Sequence, residues 1–173
     1  MQMQMLDDDV AAGADFSPCR TWRYRLWRQW GDAAPVMFLM LNPSTADETT
    51  NDPTVAKCQK WARAWGYGGL TVCNLFAFRA TDPKDMKAAS DPVGPENDAH
   101  ILNQAVFSDL IVCAWGTDGD HLNRDKHVLA MLEEHGFPLT CLKVTKHGHP
   151  HHPLYLPDST QPIPYQQNKE KRP

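Results

Sequence analysis

The run Val36-Met37-Phe38-Leu39-Met40-Leu41, halted by Asn42-Pro43, constrains the fold of this chain more than any other feature. Apolar residues at every position, with no polar alternate, describe a strand covered on both faces. The proline just past its end closes the ladder. On either side the signals alternate between strand and helix. Trp22, Tyr24 and Leu26 interleave with Arg23, Arg25 and Trp27 as in a half-buried strand, and Gly31-Asp32 turns the chain. Asp52-Pro53 opens a helix with Val55, Cys58, Ala62 and Trp65 on one face and Gly66 at its end. Leu70 to Phe76 is a second buried strand, Asp82-Pro83 starts a short helix, and Pro95 to Phe107 a longer one. Leu110 to Trp115 reads as strand, His121 to His135 as helix, and Leu139 to Val144 as the last strand. Strands alternating with helices imply parallel crossover units, hence a three-layer α/β/α sandwich with a mostly parallel central sheet.

The chain of 173 residues suits one domain. Residues 1–18 read as a flexible N-terminal arm, 19–157 as a single α/β domain, and 158–173, rich in Pro and Gln, as an extended C-terminal tail. No apolar run approaches the ~20 residues of a membrane span, and the acidic start MQMQMLDDDV lacks the pattern of a secretory signal. A cytoplasmic protein with no membrane partner is expected. The net charge of −4 argues against a tight, sequence-blind coater of duplex nucleic acid, whose affinity would come from neutralised phosphates. The five cysteines are odd in number and widely spaced, so neither a disulfide scaffold nor a zinc finger is expected.

Open parallel sheets bind ligands outside the carboxyl ends of their strands. Four segments fall there: Asn42-Pro43-Ser44, Asn74-Leu75-Phe76, Trp115-Gly116-Thr117, and Lys146 to Tyr155. Asn42 can hold a water through its carbonyl oxygen, or cap its own loop. Asn74, inside the apolar run Val72 to Phe76, must find a partner in the protein or in a ligand, because an unpaired buried amide costs roughly 1–3 kcal/mol. Phe76 and Phe78, followed by Arg79, suit base stacking or core packing. The histidines of His147-Gly148-His149-Pro150-His151-His152 suggest metal at first sight, but the prolines and glycine interrupt any regular ligand geometry. No metal or other cofactor is expected, and this loop reads as a cavity wall carrying a donor, or as a solvated loop. Arg23 and Arg25 are candidates to meet a phosphate, as is Lys146.

In this order the four segments resemble motifs of the uracil-DNA glycosylase superfamily. Leu41-Asn42-Pro43-Ser44 is similar to the opening motif, Cys73-Asn74-Leu75-Phe76 to the strand whose asparagine reads the base edge, Ile111 to Gly116 to the strand ending in Trp-Gly, and His152-Pro153-Leu154-Tyr155 to the late His-Pro-Ser loop. Met40 and Ser44 stand where the mismatch-type motif has glycines, and Leu154 where the late loop has serine. Residues 20–157 more closely resemble domain-of-unknown-function family 1643, through Asn42-Pro43-Ser44, Arg79-Ala80-Thr81-Asp82-Pro83 and His152 to Tyr155. The resemblance implies a glycosylase-like fold and hydrolysis of an N-glycosidic bond in DNA or a nucleotide. Asn42 would position the water, with Asp47 supplying a nearby charge, and His152 would donate to the leaving base. Pro43, Ser44, Asn74, Phe76, Phe78, Arg79, Trp115 and Tyr155 would contact substrate, and Arg23, Arg25 and Lys146 phosphate. The implied partner is a nucleobase, a nucleotide, or single-stranded or damaged nucleic acid. Two other classes stay open: a nucleobase-binding module without chemistry, and a phage or host-defence accessory acting through a protein partner.

Overall fold

The computed structural model describes residues 3–7 and 9–166. It is a mixed α/β structure whose seven-stranded sheet runs in the order β2-β3-β6-β4-β7-β8-β9. These strands are β2 (Ala11–Phe16), β3 (Arg23–Gln29), β4 (Pro35–Met40), β6 (Gly69–Asn74), β7 (Leu110–Cys113), β8 (Thr140–Cys141) and β9 (Ile163–Pro164). A separate two-stranded ladder joins β1 (Gln4–Met5) to β5 (Thr50–Asn51). The helices are α1 (Pro53–Ala64), α2 (Pro83–Ala88), α3 (Asn97–Phe107) and α4 (Arg124–Glu134). Among the described residues no helix is long and apolar enough to cross a membrane.

The apolar run forms β4, the strand on which the chain reverses direction across the sheet. From β4 the chain crosses through α1 to the parallel neighbour β6, then through α3 to β7, parallel on the other side of β4. The strand's alternation divides two buried clusters. Val36, Phe38 and Met40 pack with Val55, Cys58, Trp61 and Ala62 of α1. Met37 and Leu39 pack with Ile101 and Ala105 of α3 and with Val128, Leu129 and Leu132 of α4. Both faces of β4 are therefore covered, which is why no polar residue interrupts it.

The expectation of a mostly parallel sheet is corrected to a mixed one. β6, β4, β7 and β8 are mutually parallel, but β3 runs antiparallel to both β2 and β6, and β9 antiparallel to β8. The first of these reversals arises because β2 and β3 form a hairpin-like pair that docks on β6, not on β4. Residues 11–16, read as part of a loose arm, are that first strand, and Gly13 faces Trp27 across the ladder. Of the tail read as extended, the described residues contribute β9 and pack on the body, with Tyr165 donating its amide to Leu139 and its hydroxyl to Gly148, and residues 167–173 lie outside the described residues.

Two boundaries also move. The last parallel strand is only Thr140–Cys141, since Val144 bridges back to Pro150 within the histidine loop. The helix expected from His121 begins at Arg124, after a 3-10 segment in which Leu122 and Asn123 take left-handed φ of 56° and 53°. Beyond β6 the backbone is held by buried side chains. Asn97 donates to the carbonyls of Asn74 and Leu75, and Arg124 donates to Leu75.

Candidate functional site

A cavity of about 400 Å³ opens at the carboxyl ends of β4, β6 and β7, where the crossovers diverge to opposite faces. Its volume falls within the ~300–1,000 Å³ usual for small-molecule sites. Met40, Asn42 and Ser44 contribute from the end of β4, and Asn74 from β6. Trp115 and Thr117 come from the segment after β7, Asp52 and Thr54 from the start of α1, and His152 from the histidine loop.

Asn42 is fixed by its own amide. Nδ2 donates to the carbonyls of Ala80 at 2.8 Å and Pro43 at 3.2 Å. This orients the group so that Oδ1 is left as an acceptor. Pro43 itself is buried, and its carbonyl accepts from Asn42 Nδ2 and from the Ala80 amide. Asn74 is the opposite case. It is 1% exposed, and neither Oδ1 nor Nδ2 of its side chain has a partner among the described residues. A donor and an acceptor are thus held side by side, desolvated and unpaired, in the cavity wall.

Asp52 caps α1, Oδ1 accepting from the Val55 amide at 2.8 Å. The other carboxylate oxygen makes no hydrogen bond among the described residues. Arg23 lies opposite in charge. It is buried, donates through Nη1 to the Ala46 carbonyl at 2.9 Å, and leaves Nε unpartnered among the described residues. Burial pushes the Arg23 guanidinium down to about 10, against the charge of Asp52. It stays cationic at neutral pH.

His152 is positioned by a loop that folds on itself. Gly116 donates its amide to Pro150, and His151 donates its amide to Lys143. Gly116 has φ +76°, which a side chain would strain, and a Cβ there would lie 3.7 Å from that of His152. Nδ1 of His152 accepts from the Leu154 amide at 3.2 Å, so the neutral ring carries its proton on Nε2. Burial, and next the neighbouring His151, lower the His152 pKa below the ordinary histidine value. The unfolded chain therefore binds a proton near pH 6.5 while the folded chain does not, and stability falls as pH drops through that window. Denaturation profiles between pH 7 and pH 5 should show wild type losing more stability than His152→Gln; equal losses would mean the ring is not held neutral.

The cavity thus gathers Arg23, Asn42, Ser44, Asn74, Trp115 and His152 from the residues singled out in the sequence. Others lie elsewhere. Asp47 caps its own turn, Oδ1 accepting from the amides of Thr49 and Thr50 and from the Thr50 hydroxyl. Phe76 is fully buried in the core against His121, and Phe78 packs on the same cluster. Arg79 sits over the Phe16 ring at 4.8 Å, and Arg25 pairs with Asp15 at 3.6 Å. Lys146 is exposed on the histidine loop, and Tyr155 is 97% exposed. The residue that sequence reasoning missed is Asp52. Its signal was the Asp-Pro helix start, which spoke for capping and concealed the second oxygen. Among the described residues no group of three or more His, Cys, Asp or Glu side chains converges as a metal site.

Compared with known families, residues 23–154 match the model described as Protein of unknown function (DUF1643). No curated protein and no solved structure matches the chain.

Proposed function

The chain belongs to the DUF1643 family, and we propose that its cavity receives a nucleobase and supports hydrolysis of the N-glycosidic bond that joins the base to its sugar. The observation that carries this reading is Asn74, whose buried amide offers an unpaired donor and acceptor side by side. A nucleobase edge presents the complementary pair, and a ligand that supplied it would remove a desolvation cost of roughly 1–3 kcal/mol per group. The covering of β4 by α1 on one face and by α3 and α4 on the other supports a three-layer sandwich of the uracil-DNA glycosylase kind.

In this chemistry a water attacks C1′ of the sugar, a C–O bond forms, and the C1′–N bond breaks with its electron pair passing to the base. The sugar carries positive charge in the transition state and the base negative. Asn42 Oδ1 accepts one hydrogen bond from the water, and Asp52 takes its proton as the C–O bond forms. Asp52 replaces Asp47 in this role because Asp47 is committed to its own turn. The Asp52 charge also faces the cationic sugar. His152 donates Nε2–H to the departing base. Neither Phe76 nor Phe78 lines the cavity, and Trp115 supplies the aromatic part of the wall.

Mass spectrometry of free bases tests the reading. Purified protein is incubated with nucleosides, nucleotides, and single- and double-stranded DNA and RNA, including uracil and modified bases. Release of one base, lost in Asn42→Ala and His152→Ala, is the expected outcome. A soluble, folded protein that releases no base from any substrate would reduce the site to binding without turnover.

A further inference from the structure

The charged groups in and around the cavity, Arg23, Asp52, Asp118 and its partner Lys87, sum to zero, although Arg23 and Asp52 form no ion pair. Arg23 and Asp52 are the charged groups of its interior, one of each sign. At the mouth Asp118 also lines the cavity, and Lys87 neutralises it at 2.7 Å. His152 is neutral. The basic residues expected to meet phosphate do not add to this balance. Arg25 is engaged by Asp15 and donates to the Thr71 hydroxyl, and Lys146 lies outside the cavity lining. Arg20 is paired with Glu48 at 2.6 Å. Among the described residues Arg23 is the one Lys or Arg lining the cavity, it is buried and makes no ion pair, and the cation at the mouth, Lys87, is held by Asp118.

The uncharged polar lining has the opposite character. Ser44, Thr54, Thr81 and Thr117 all line the cavity, and none of their hydroxyls bonds to another protein group among the described residues. Such hydroxyls, with the free oxygen of Asp52, suit the hydroxyls of a sugar. A phosphate at the mouth would instead be desolvated beside Asp118, whose charge already holds Lys87, which is costly. A strand of nucleic acid would also forgo the counterion release that supplies most of its affinity.

Building on the base-directed reading above, we propose that the substrate is a free, uncharged nucleoside, in preference to a nucleotide or a nucleic-acid strand. The base edge meets Asn74, the ribose lies among the hydroxyls near the start of α1, and its 5′ position points to a mouth that offers no free positive charge.

Calorimetric titration separates the possibilities. The probes are adenosine, guanosine, cytidine, uridine and thymidine, their 5′-monophosphates, and tetranucleotides of each base, at low and at physiological salt. One nucleoside is expected to bind about tenfold or more tighter than its monophosphate and its tetranucleotide, with almost no salt dependence. Asp118→Ala, which releases Lys87, should raise monophosphate affinity relative to the nucleoside by about fivefold. Tighter binding of a monophosphate or tetranucleotide, weakened in Asn74→Ala, would overturn the nucleoside proposal and leave the base-directed reading standing. Binding that Asn74→Ala does not weaken, or no binding by any probe, would overturn both.

Discussion

Asp52→Asn should lower base release by about 10²–10⁴-fold, the range that proton transfer by a positioned side chain contributes, with only a modest drop in melting temperature, from the lost counter-charge to buried Arg23. The two effects separate because the residue has two jobs on two oxygens. One oxygen accepts from the Val55 amide and caps α1. Asparagine caps about as well as aspartate, so the helix start is kept. The other oxygen faces the cavity, and there the substitution removes both the charge and the proton acceptor. A matched comparison is Asp47→Asn, which should leave turnover near wild type because Asp47 lies in its own turn outside the cavity lining. Kinetics of base release with both variants checks the assignment. Equal losses in the two, or a full rate in Asp52→Asn, would move the proton acceptor elsewhere.

The largest effect on stability is expected from Arg28→Met, a loss of about 3–5 kcal/mol. Arg28 is fully buried, and its guanidinium joins three parts of the chain. Nε donates to Asn51 Oδ1, Nη1 to the carbonyls of Gly13, Trp27 and Glu48, and Nη2 to those of Asp47 and Thr50. Burial is also what pushes its guanidinium down to about 10. Methionine fills similar volume but leaves these acceptors buried without donors. Arg28→Lys should recover only part of the loss, because one ammonium cannot reproduce the planar fork. Urea denaturation with an unchanged m-value measures both. The loop that Arg28 clamps, Asp47 to Asn51, leads directly into Asp52, so the methionine variant should lose base release as well. A loss below about 1 kcal/mol would show that the loop holds without the clamp.

Much of the frame was legible because burial leaves a mark on sequence. β4 and β7 are uninterrupted apolar runs, β6 carries only Thr71 before its terminal Asn74, and the cap and proline of α1 mark its start. Three of the four strand-end segments were legible for the same reason, since each lies at the end of one of these runs, and the fourth follows the short β8. The mixed edge was not. β2, Ala11–Phe16, is short of large apolar residues and half-buried, so its partner β3 supplies most of its definition. The tail strand β9 is exposed, and only its register with β8 reveals it. Side-chain assignment at the site followed a similar division. Asn42, Asn74, Trp115 and His152 sit where the strands deliver them. Phe76 and Phe78 come one and three residues after Leu75, where the chain has already turned back into the core and to Trp22. Arg28 gave no warning, because an arginine in an alternating strand reads as solvated until six loop and strand acceptors are found around it.

The most direct measurement is made on the Asn74 side chain. In ¹⁵N-labelled protein the Nδ2 amide pair of Asn74 is identified by its loss in Asn74→Asp, then followed while the nucleoside that binds best is added. A donor newly bonded to a base edge should move downfield and become protected from exchange with solvent, while the Asn42 amide, already bonded to Ala80 and Pro43, shifts little. Saturating ligand that leaves the Asn74 resonances in place would contradict a base edge read by this residue.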